Sequence, residues 1–333
     1  RVLPWRENPQ PYRVWVSEIM LQQTRVEAVK PYFERFLKAL PTVEDLAQAP
    51  EEQLLKLWEG LGYYNRVRNL QRGARAVMAE HGGVIPASFE ALKKLPGIGD
   101  YTAGAIGSIA FQIPVPAVDG NVLRVISRVL YRRDNILDAK VKRRIEGEIK
   151  EILPERTGDF NQSLMELGAT VCLPNGAPKC NECPLQELCR AHLVGDEESL
   201  PVKTKAKTRK IEKRTVFLLV CDGKIALRKR PEKGLLAGLW ELPSQEGMLG
   251  CAEAGKLLQT WGVRTLGELQ KQTDAKHIFS HVEWHMTCWY VEAALDPDAD
   301  VKELIWVSRK ELDQDVALPA AFKTYRKVIE KIL

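Results

Sequence analysis

The segment Leu95-Pro-Gly-Ile-Gly-Asp-Tyr-Thr-Ala103 joins two stretches of helical periodicity. Its glycines, Gly97 and Gly99, permit a tight backbone reversal with positive φ and leave amide N–H groups exposed at the start of the next helix. A phosphate group can bind at such a helix N-terminus, as it does where a helix-hairpin-helix motif holds a DNA backbone without reading its sequence. An ordinary glycine-rich connection between helices is the alternative interpretation.

Helical periodicity surrounds this segment up to about His192. Apolar residues recur there at three and four positions, as in Leu54, Leu57 and Leu61. Beyond Arg214, short runs rich in Val, Trp, Thr and Tyr predict strands, and two later runs return to the helical pattern. The predicted strands are 215–221, 224–228 and 282–291, and the predicted later helices are 252–261 and 320–332.

Length and charge favour two domains. A chain of 333 residues is too long for most single cores. Residues 203–214 hold seven basic side chains and one acidic side chain, whereas the formal net charge of the whole chain is +5. We therefore predict an all-α domain over residues 1–193, a basic linker over 194–214 and an α+β domain over 215–333. The linker is either simply solvated or also in contact with phosphate groups.

Four cysteines, Cys172, Cys180, Cys183 and Cys189, fall within one short stretch at the end of the helical half. Thiolates this close together, with one Cys-x-x-Cys pair and intervening prolines, suit a loop wrapped around one metal centre. A disulfide knot is the alternative, but the sequence shows no secretory leader and its size requires no staples, so we expect a reducing cytoplasm. An iron-sulfur cluster is favoured over zinc, because structural zinc sites usually pair two Cys-x-x-Cys knuckles.

Two acidic residues have the contrasting surroundings that cleavage of an N-glycosidic bond requires. Asp119 lies just before a helical run that starts at Asn121, and as an N-cap it would be kept ionised by the amide donors of the helix. Glu18 interrupts an apolar helix flank, where desolvation would raise its pKa and leave it protonated near neutral pH. The reaction needs a proton for the departing base and a negative charge beside the cationic sugar. An ordinary N-cap and a helix residue paired with an arginine are the alternatives.

Taken in order along the chain, these segments resemble the helix-hairpin-helix DNA glycosylase superfamily and, within it, the adenine DNA glycosylases of the MutY family. The resemblance covers nearly the whole chain. The segments that carry it are Leu3-Pro4-Trp5-Arg6, residues 15–24 (Trp-Val-Ser-Glu-Ile-Met-Leu-Gln-Gln-Thr), residues 95–103, Val118-Asp119-Gly120-Asn121, the cysteine loop and Phe279-Ser280-His281.

The resemblance implies catalytic roles. Glu18 would protonate the adenine at N7 and later assist water, and Asp119 would stabilise the oxocarbenium ion or bond to it briefly. Tyr101 and Asn121 would orient these two groups. Bifunctional relatives such as endonuclease III carry a lysine at the position of Tyr101 and use it to form a Schiff base with the sugar. A tyrosine cannot do so, and we expect base removal alone, leaving an abasic site.

The resemblance also implies which residues bind the substrate. An adenine must leave the base stack before its glycosidic bond can be reached, and the duplex gap it leaves must be filled. The residues implied are Trp5, Arg6 and Glu166 for the adenine pocket, Gln23, Thr24 and Tyr63 for the gap, and Gly97 and Gly99 for the DNA backbone.

In this family the four cysteines hold a 4Fe-4S cluster, which we expect to be structural or damage-sensing and not the centre that cleaves the bond. Seven positions separate Cys172 from Cys180, one more than in the usual pattern. An extra loop residue costs little closure entropy, so we expect ligation to survive.

The C-terminal half resembles the approach to a Nudix hydrolase motif around Gly234–Pro243, which reads Gly-Leu-Leu-Ala-Gly-Leu-Trp-Glu-Leu-Pro. The metal-binding glutamates of that motif are missing after Gly247, so the domain should bind and not hydrolyse. In the MutY family such a domain recognises 8-oxoguanine. The turn formed by Phe279, Ser280 and His281 would reach the lesion.

His277, His281 and His285 recur at every fourth position, which on a helix would suggest a zinc site. Their neighbours favour a strand, on which His281 and His285 would stand roughly 13 Å apart at about 3.3 Å per residue, too far apart for one metal. We therefore expect a strand whose first residues leave a recognition turn.

Excision of adenine opposite 8-oxoguanine or guanine is the favoured function. An endonuclease III-like glycosylase acting on oxidised pyrimidines, a non-catalytic DNA-binding protein and a Nudix phosphohydrolase are the alternatives. Tyr101 and the presence of the C-terminal domain argue against the endonuclease III-like glycosylase. The presence of both Glu18 and Asp119 argues against the non-catalytic protein, and the missing glutamates argue against the Nudix phosphohydrolase.

The expected partner is double-stranded DNA that contains an adenine:8-oxoguanine mispair. No apolar stretch approaches the length that spans a bilayer, so we expect a soluble protein with no membrane partner. We expect a monomer in the cytoplasm, associated with the nucleoid if the source is bacterial. The chain begins at Arg1 and not at methionine, so we expect that an N-terminal piece is absent.

Overall fold

The structure of the chain, a computed structural model, describes residues 1–204, 208–294 and 304–333. The chain forms two compact units. The first comprises Arg1–Ala49 and Asn65–Lys205, and the second comprises Pro50–Tyr64 and Ala206–Leu333. The predicted linker over 194–214 includes residues 205–207, which lie outside the described residues, so the three-part division of the chain stays a prediction.

The first unit is built from helices, as the periodicity predicts, and further helices occur in the second. In chain order they are α1 (Pro4–Glu7), α2 (Pro11–Leu21), α3 (Val26–Ala39), α4 (Val43–Gln48), α5 (Glu51–Leu57), α6 (Asn65–His81), α7 (Phe89–Lys94), α8 (Asp100–Phe111), α9 (Gly120–Val129), α10 (Ala139–Glu151), α11 (Thr157–Thr170), α12 (Arg190–Leu193), α13 (Cys251–Thr260), α14 (Arg309–Gln314) and α15 (Lys323–Ile332). Of these, α5 and α13 to α15 belong to the second unit. None of the described helices is long and apolar enough to cross a membrane.

The first unit is organised around α8, whose small and apolar residues are buried along most of the helix. Helices α2 and α11 pack on it. The packing is close because Gly104 has no side chain, and a Cβ atom there would lie 2.1 Å from the carbonyl oxygen of Pro116. Pro116 stands shortly before Asp119, the N-cap of α9, so α8 fixes the backbone that leads to this aspartate.

Residues 95–103 form the predicted hairpin between α7 and α8. Gly97 has φ +79°, and a Cβ atom there would lie 2.7 Å from the Cβ of Asn69, so conformation and space both require glycine. Gly99 is the N-cap of α8 and has φ −97°. The expectation of positive φ is therefore right for Gly97 and wrong for Gly99, whose extended backbone leads directly into the helix.

A seven-stranded sheet forms the centre of the second unit, within its described residues. The strands are β1 (Lys210–Cys221), β2 (Lys224–Lys229), β3 (Trp240–Glu241), β4 (Ser244–Glu246), β5 (Arg264–Ile278), β6 (Val282–Ala294) and β7 (Leu304–Ser308). Their order is β3-β2-β1-β6-β5, with β4 also paired to β1 and β7 to β2. Strands β1 and β6 run parallel, and the other pairs are antiparallel.

Side chains of the sheet alternate between two apolar cores. On one face Leu218 and Trp284 pack with Tyr325 of α15, and on the other face Phe217 packs with Leu258 of α13. The two predicted late helices are thus confirmed, and they bury opposite faces of one sheet.

Three features of the sheet depart from the sequence prediction. Strands β3, β4, β5 and β7 have no counterpart among the predicted strands, and β5 is an edge strand whose residues are mostly exposed and polar. Strand β5 is held by its pairing with β6 and not by an apolar pattern of its own. Strand β1 begins at Lys210, inside the predicted linker, because residues 210–214 pair with residues 282–286 of β6.

Residues 50–64 lie in the helical half of the sequence but pack with the second unit. The Lys56 ammonium group donates hydrogen bonds to the carbonyl oxygens of Leu312 and Val316, at 3.0 and 2.9 Å. Glu59 pairs with Arg326 at 2.6 Å. These contacts join residues more than 250 positions apart, so no local pattern could predict them.

Candidate active site

A cavity of about 790 Å³ opens in the first unit, within the range of volumes that hold small ligands. Its lining comes from α2, from the starts of α8 and α9, and from α11. It gathers most of the residues singled out for chemistry and binding in the sequence. These residues are Trp5, Arg6, Glu18, Gln23, Thr24, Gly97, Gly99, Tyr101, Asp119, Asn121 and Glu166.

Glu18 projects from α2 and is only 6% exposed, as its apolar neighbours predict. The hydroxyl group of Tyr101, near the start of α8, donates a hydrogen bond to its carboxylate at 2.5 Å. Burial raises the pKa of Glu18 to about 7, and the nearby charge of Asp119 adds to the effect, while Tyr101 and Arg6 oppose it. The predicted upward shift of the Glu18 pKa is therefore confirmed.

Asp119 is the N-cap of α9, as predicted. Its carboxylate accepts hydrogen bonds from the backbone N–H of Val122 at 2.8 Å and from the side-chain amide of Asn121 at 2.7 Å. We expected the helix N–H donors to keep Asp119 ionised. This expectation needs correction, because burial raises the pKa of Asp119 above its ordinary value. The hydrogen bonds and the charge of Arg124 favour the anion but do not outweigh this desolvation.

Arg124 is a member of the site that the sequence reading missed. Its guanidinium donates to the side-chain oxygen of Asn121 at 2.8 Å and to the carbonyl oxygens of Gly168 and Cys172, at 2.7 and 2.8 Å. Asn121 is thereby fixed between Arg124 and Asp119. The available signal was an arginine three residues after Asn121, a spacing that puts both side chains on the same side of a helix.

Glu166 of α11 is held by two arginines. The Arg1 guanidinium donates to it at 2.5 and 2.9 Å, and Arg6 donates at 3.0 Å. Partial burial acts to raise the pKa of Glu166, but the hydrogen bonds and charges of the two arginines hold that pKa below its ordinary value. Arg1 was not predicted, because its pairing with a residue 165 positions away is purely tertiary.

Three residues are expected to fill the gap that an extruded adenine leaves in the duplex. Two of them belong to the first unit and one to the second. Gln23 and Thr24 follow α2 and line the cavity, and Gln23 has φ +57°. The Arg66 guanidinium fixes this turn by donating to the carbonyl oxygens of Ile19, Met20 and Gln22 at 2.6 to 2.9 Å. Tyr63 belongs to residues 50–64 of the second unit, where it is 48% exposed with φ +48°.

All four cysteines of the loop line one small cavity in the first unit. Cys172 follows α11, and the other three lie in or beside two short 3-10 helices, Cys180–Glu182 and Gln186–Leu188. All seven cysteines of the chain are free in the structure. The Cys172 sulfur accepts a hydrogen bond from Arg128 at 3.2 Å.

Two polar residues stand beside this cysteine cavity. The Cys180 thiol donates to the carboxylate of Glu197 at 3.5 Å, and Glu197 also contacts the Nδ1 atom of His192 at 2.5 Å. One ligand atom from each of these three residues lies within 4.8 Å of the others. Sulfur, nitrogen and carboxylate donors therefore converge at this end of the first unit.

The turn Phe279-Ser280-His281 connects β5 to β6, as expected for the start of a strand. The Phe279 ring packs edge-on against Trp284, with centroids 4.9 Å apart, whereas Ser280 and His281 are exposed. Lys210 at the start of β1 donates its backbone N–H to the carbonyl oxygen of His281 at 3.2 Å. Phe279 thus anchors the turn, and the next two side chains are presented outward.

The three histidines of this hairpin lie on two strands and in the turn between them. His277 lies on β5, where it pairs with Trp284, and His285 lies on β6, where it pairs with Lys276. Among the described residues, no group of three possible metal ligands lies in the second unit. Glu253, in the helix that follows the Nudix-like segment, caps the start of α13.

Comparison with known families identifies the two units. Residues 16–151 match the family described as HhH-GPD superfamily base excision DNA repair protein, and residues 215–328 match the NUDIX domain. A solved thermostable thymine-DNA glycosylase superposes with a TM-score of 0.53 at 31% identity, covering 58% of this chain and 89% of its own. An endonuclease III in a non-covalent DNA complex gives 0.50 at 28% identity, covering 56% and 86%. The first unit is therefore that of a helix-hairpin-helix DNA glycosylase.

Curated relatives specify the family further. The adenine DNA glycosylase of Rattus norvegicus is 35% identical over 99% of this chain and 75% of its own length. The human protein of the same name is 35% identical over 98% and 71%, and that of Buchnera aphidicola subsp. Baizongia pistaciae is 33% identical over 100% and 92%. The chain belongs to the adenine DNA glycosylase family, the MutY family that its motifs resemble.

Proposed function

We propose that this protein hydrolyses the N-glycosidic bond of adenine mispaired with 8-oxoguanine, or with guanine, in duplex DNA and leaves an abasic site. It acts as a monofunctional glycosylase of base excision repair. The observation that carries this proposal is that Glu18 and Asp119, two carboxyl groups in different surroundings, line one cavity. One has a pKa near neutrality, and the other accepts hydrogen bonds at a helix N-terminus.

Glu18 supplies the proton for the departing base. With a pKa of about 7, a substantial fraction of its carboxyl groups is protonated at neutral pH and can transfer the proton to N7 of adenine. The electron pair of the breaking bond then neutralises a cationic base, which makes adenine a better leaving group. Once ionised, the Glu18 carboxylate can accept a proton from the water that attacks the sugar carbon, while Tyr101 keeps it oriented.

Asp119 stabilises the positive charge that develops on the sugar, or bonds briefly to the same carbon. Its oxygens are already fixed by Val122 and Asn121, so the carboxylate does not have to reorient as the charge develops. Burial disfavours the charged form of Asp119. The hydrogen-bond donors of Val122 and Asn121 and the charge of Arg124 act in the opposite direction and favour the anion.

Tyr101 restricts the reaction to base removal. A lyase step needs an amine that attacks the sugar carbon and forms a Schiff base. The phenol of Tyr101 cannot form one, and burial together with the charge of Glu18 raises its pKa, so the hydroxyl stays protonated as a hydrogen-bond donor. An endonuclease III-like activity on oxidised pyrimidines is disfavoured on this ground.

Glu166, Arg1, Arg6 and Trp5 form the proposed pocket for the extruded adenine. The Glu166 carboxylate stays ionised and can accept a hydrogen bond from the exocyclic amine of the base. Trp5 is buried against Phe33, with ring centroids 5.4 Å apart, and gives the pocket a fixed apolar wall. An oxidised pyrimidine would leave part of this polar arrangement unsatisfied, which is how the pocket would select adenine.

Duplex DNA is the proposed substrate of the first unit. Gln23 and Thr24 at the end of α2 and Tyr63 in the second unit are assigned to the gap that the extruded nucleotide leaves. The hairpin at Gly97 and Gly99 brings the N-terminus of α8 to the cavity, where its amide groups can hold a backbone phosphate. We assign the protein a monomeric state and, in a bacterial cell, association with the nucleoid.

Ser280 and His281 are the proposed readers of 8-oxoguanine on the opposite strand. They are exposed at the tip of a turn that Phe279 anchors in the core. The lesion differs from guanine in hydrogen-bonding groups at C8 and N7, which a hydroxyl and an imidazole can contact. We therefore assign the second unit a role in binding the lesion.

A 4Fe-4S cluster fits the four thiols of the cysteine loop. Such a cluster takes one thiolate per iron, and Cys172, Cys180, Cys183 and Cys189 line one cavity with no disulfide among them. Arg128, buried beside Cys172, supplies a donor of the kind that stabilises ligating thiolates. The cluster would hold the loop in shape and would not take part in bond cleavage.

The test is an excision assay on a duplex with one adenine opposite 8-oxoguanine. We expect strand breaks only after treatment with alkali, since the enzyme leaves an intact backbone at the abasic site. Asp119→Asn should abolish the alkali-dependent breaks while duplex binding persists. Asp45→Asn, which changes another aspartate that caps a helix start by accepting a backbone N–H, is the matched control and should retain activity. Strand cleavage without alkali would contradict the monofunctional assignment.

A further inference from the structure

Leu137 is an exposed apolar residue at the rim of the active-site cavity. Its side chain is 63% exposed, and it lines the cavity together with Lys142. It lies in the loop between α9, which begins at the Asp119 cap, and α10. Single exposed leucines are common on protein surfaces, so the surroundings of Leu137 decide whether it has a function.

The loop holds Leu137 in a fixed position. The preceding Ile136 is 5% exposed and packs into the core, and its backbone N–H donates to the carbonyl oxygen of Val202 at 3.1 Å. The side chain of Asn135 accepts the N–H of Leu137 at 3.1 Å, and Asp138 caps α10 by accepting the N–H of Lys140 at 2.8 Å. Little conformational entropy would therefore be lost if Leu137 contacted a ligand.

Basic side chains that can contact phosphate groups lie near Leu137, beside the carboxylates of Asp138 and Glu146. Lys140 and Arg143 are exposed on the first turns of α10, and Lys142 lines the cavity, where it lies 3.6 Å from Glu146. Leu137 stands with the basic side chains of α10 on one side and the active-site cavity on the other. A DNA strand offers matching groups, because its phosphates are charged and the faces of its sugars and bases are apolar.

We propose that Leu137 packs against the sugar or base of the nucleotide next to the extruded adenosine and stabilises the extruded state. This inference rests on the proposed function. It adds a DNA contact on the loop after α9 to the contacts already assigned to the end of α2 and to the hairpin at residues 95–103.

The test compares Leu137→Ala with Ile152→Ala, since Ile152 is equally exposed at 63% but lies at the other end of α10. Each variant is saturated with a duplex in which 2-aminopurine, whose fluorescence rises on unstacking, replaces the target adenine. Leu137→Ala should lower this fluorescence by about tenfold, and it should lower the single-turnover excision rate on the corresponding adenine duplex by the same factor. A tenfold effect is what we expect if the contact buries about half of a leucine side chain. Leu137→Met should restore most of the signal, and Ile152→Ala should match the wild type.

The role of Leu137 and the proposed function can be refuted by different results. Equal fluorescence for Leu137→Ala and Ile152→Ala would refute the role of Leu137, whatever the excision rates. Failure of the wild type to release adenine would refute the proposed function, but the fluorescence comparison would still decide whether Leu137 holds an extruded nucleotide. The melting temperature of Leu137→Ala should equal that of the wild type, because the side chain is exposed; a lowered value together with lower fluorescence would assign the residue to folding instead.

Discussion

Replacement of Glu18 by glutamine should abolish excision and yet stabilise the fold above neutral pH. Glu18 is 6% exposed, and burial raises its pKa from 4.5 to about 7. Such a carboxyl group contributes stability in its protonated form below about pH 4.5, and this contribution is lost as the pH rises through about 7. The difference between 4.5 and about 7 corresponds to about 3 kcal/mol of unfolding free energy.

Glutamine removes the ionisation and keeps the contact. Its carbonyl oxygen can accept the hydrogen bond that the Tyr101 hydroxyl donates to Glu18, so the cavity wall should be preserved. The unfolding free energy of the variant minus that of the wild type should therefore increase by about 2.5 kcal/mol between pH 5 and pH 8, because part of the stabilising contribution is already lost at pH 5. All other titrating groups are common to both proteins and largely cancel in this difference.

Denaturant unfolding of both proteins at pH 5, 6, 7 and 8 measures the difference directly. Glu34→Gln, at an exposed position of α3, is the matched control and should show no such pH dependence. In the wild type, the single-turnover excision rate should fall about tenfold per pH unit above 7, because only protonated Glu18 donates. A stability difference that is the same at pH 5 and pH 8 would refute the buried-acid argument.

Three further outcomes are expected. Joint replacement of Ser280 and His281 by alanine should reduce the ratio of excision rates opposite 8-oxoguanine and guanine more than it slows chemistry; an equal loss on both duplexes would remove their role in reading the lesion. The purified protein should contain iron and sulfide in equal amounts with broad visible absorption, whereas colourless protein with stoichiometric zinc would overturn the cluster assignment. Gly104→Ala should destabilise the protein by about 1–3 kcal/mol or more, because its Cβ would lie 2.1 Å from the Pro116 carbonyl oxygen. Gly147→Ala in α10 is the control: its Cβ would meet no atom within 4 Å, and it should stabilise the protein by about 0.5–1 kcal/mol. Similar melting temperatures for the two variants would contradict the close packing of α8.

Much of the candidate site could be predicted because its chemistry depends on local pattern. The apolar neighbours of Glu18 along α2 predict its burial, and the position of Asp119 before a helical run predicts its cap. The direction of the Asp119 pKa shift could not be predicted. It depends on how much water the packed cavity excludes, and this desolvation outweighs the donors that the sequence suggests.

The contacts that orient the site were harder to foresee. Arg124 reaches Gly168 and Cys172, which lie more than 40 positions away, and Arg1 reaches Glu166 across the length of the first unit's sequence. Strand β5 escaped prediction for a related reason, because a polar edge strand owes its structure to the hydrogen bonds of its neighbour.

Local pattern was enough to predict the change from a helical half to a mixed half, the hairpin with glycine at position 97, the lack of a lysine at position 101 and the two carboxyl groups that divide the chemistry. Those properties follow from periodicity, from allowed backbone angles and from side-chain type, and each is encoded within a few neighbouring residues. The packing of the chain was needed to show that residues 50–64 belong with the second unit, that Arg124 fixes Asn121, and that Leu137 stands at the rim of the cavity. Burial and charge compensation are set by residues distant in sequence, so they exist only once the helices and strands have packed.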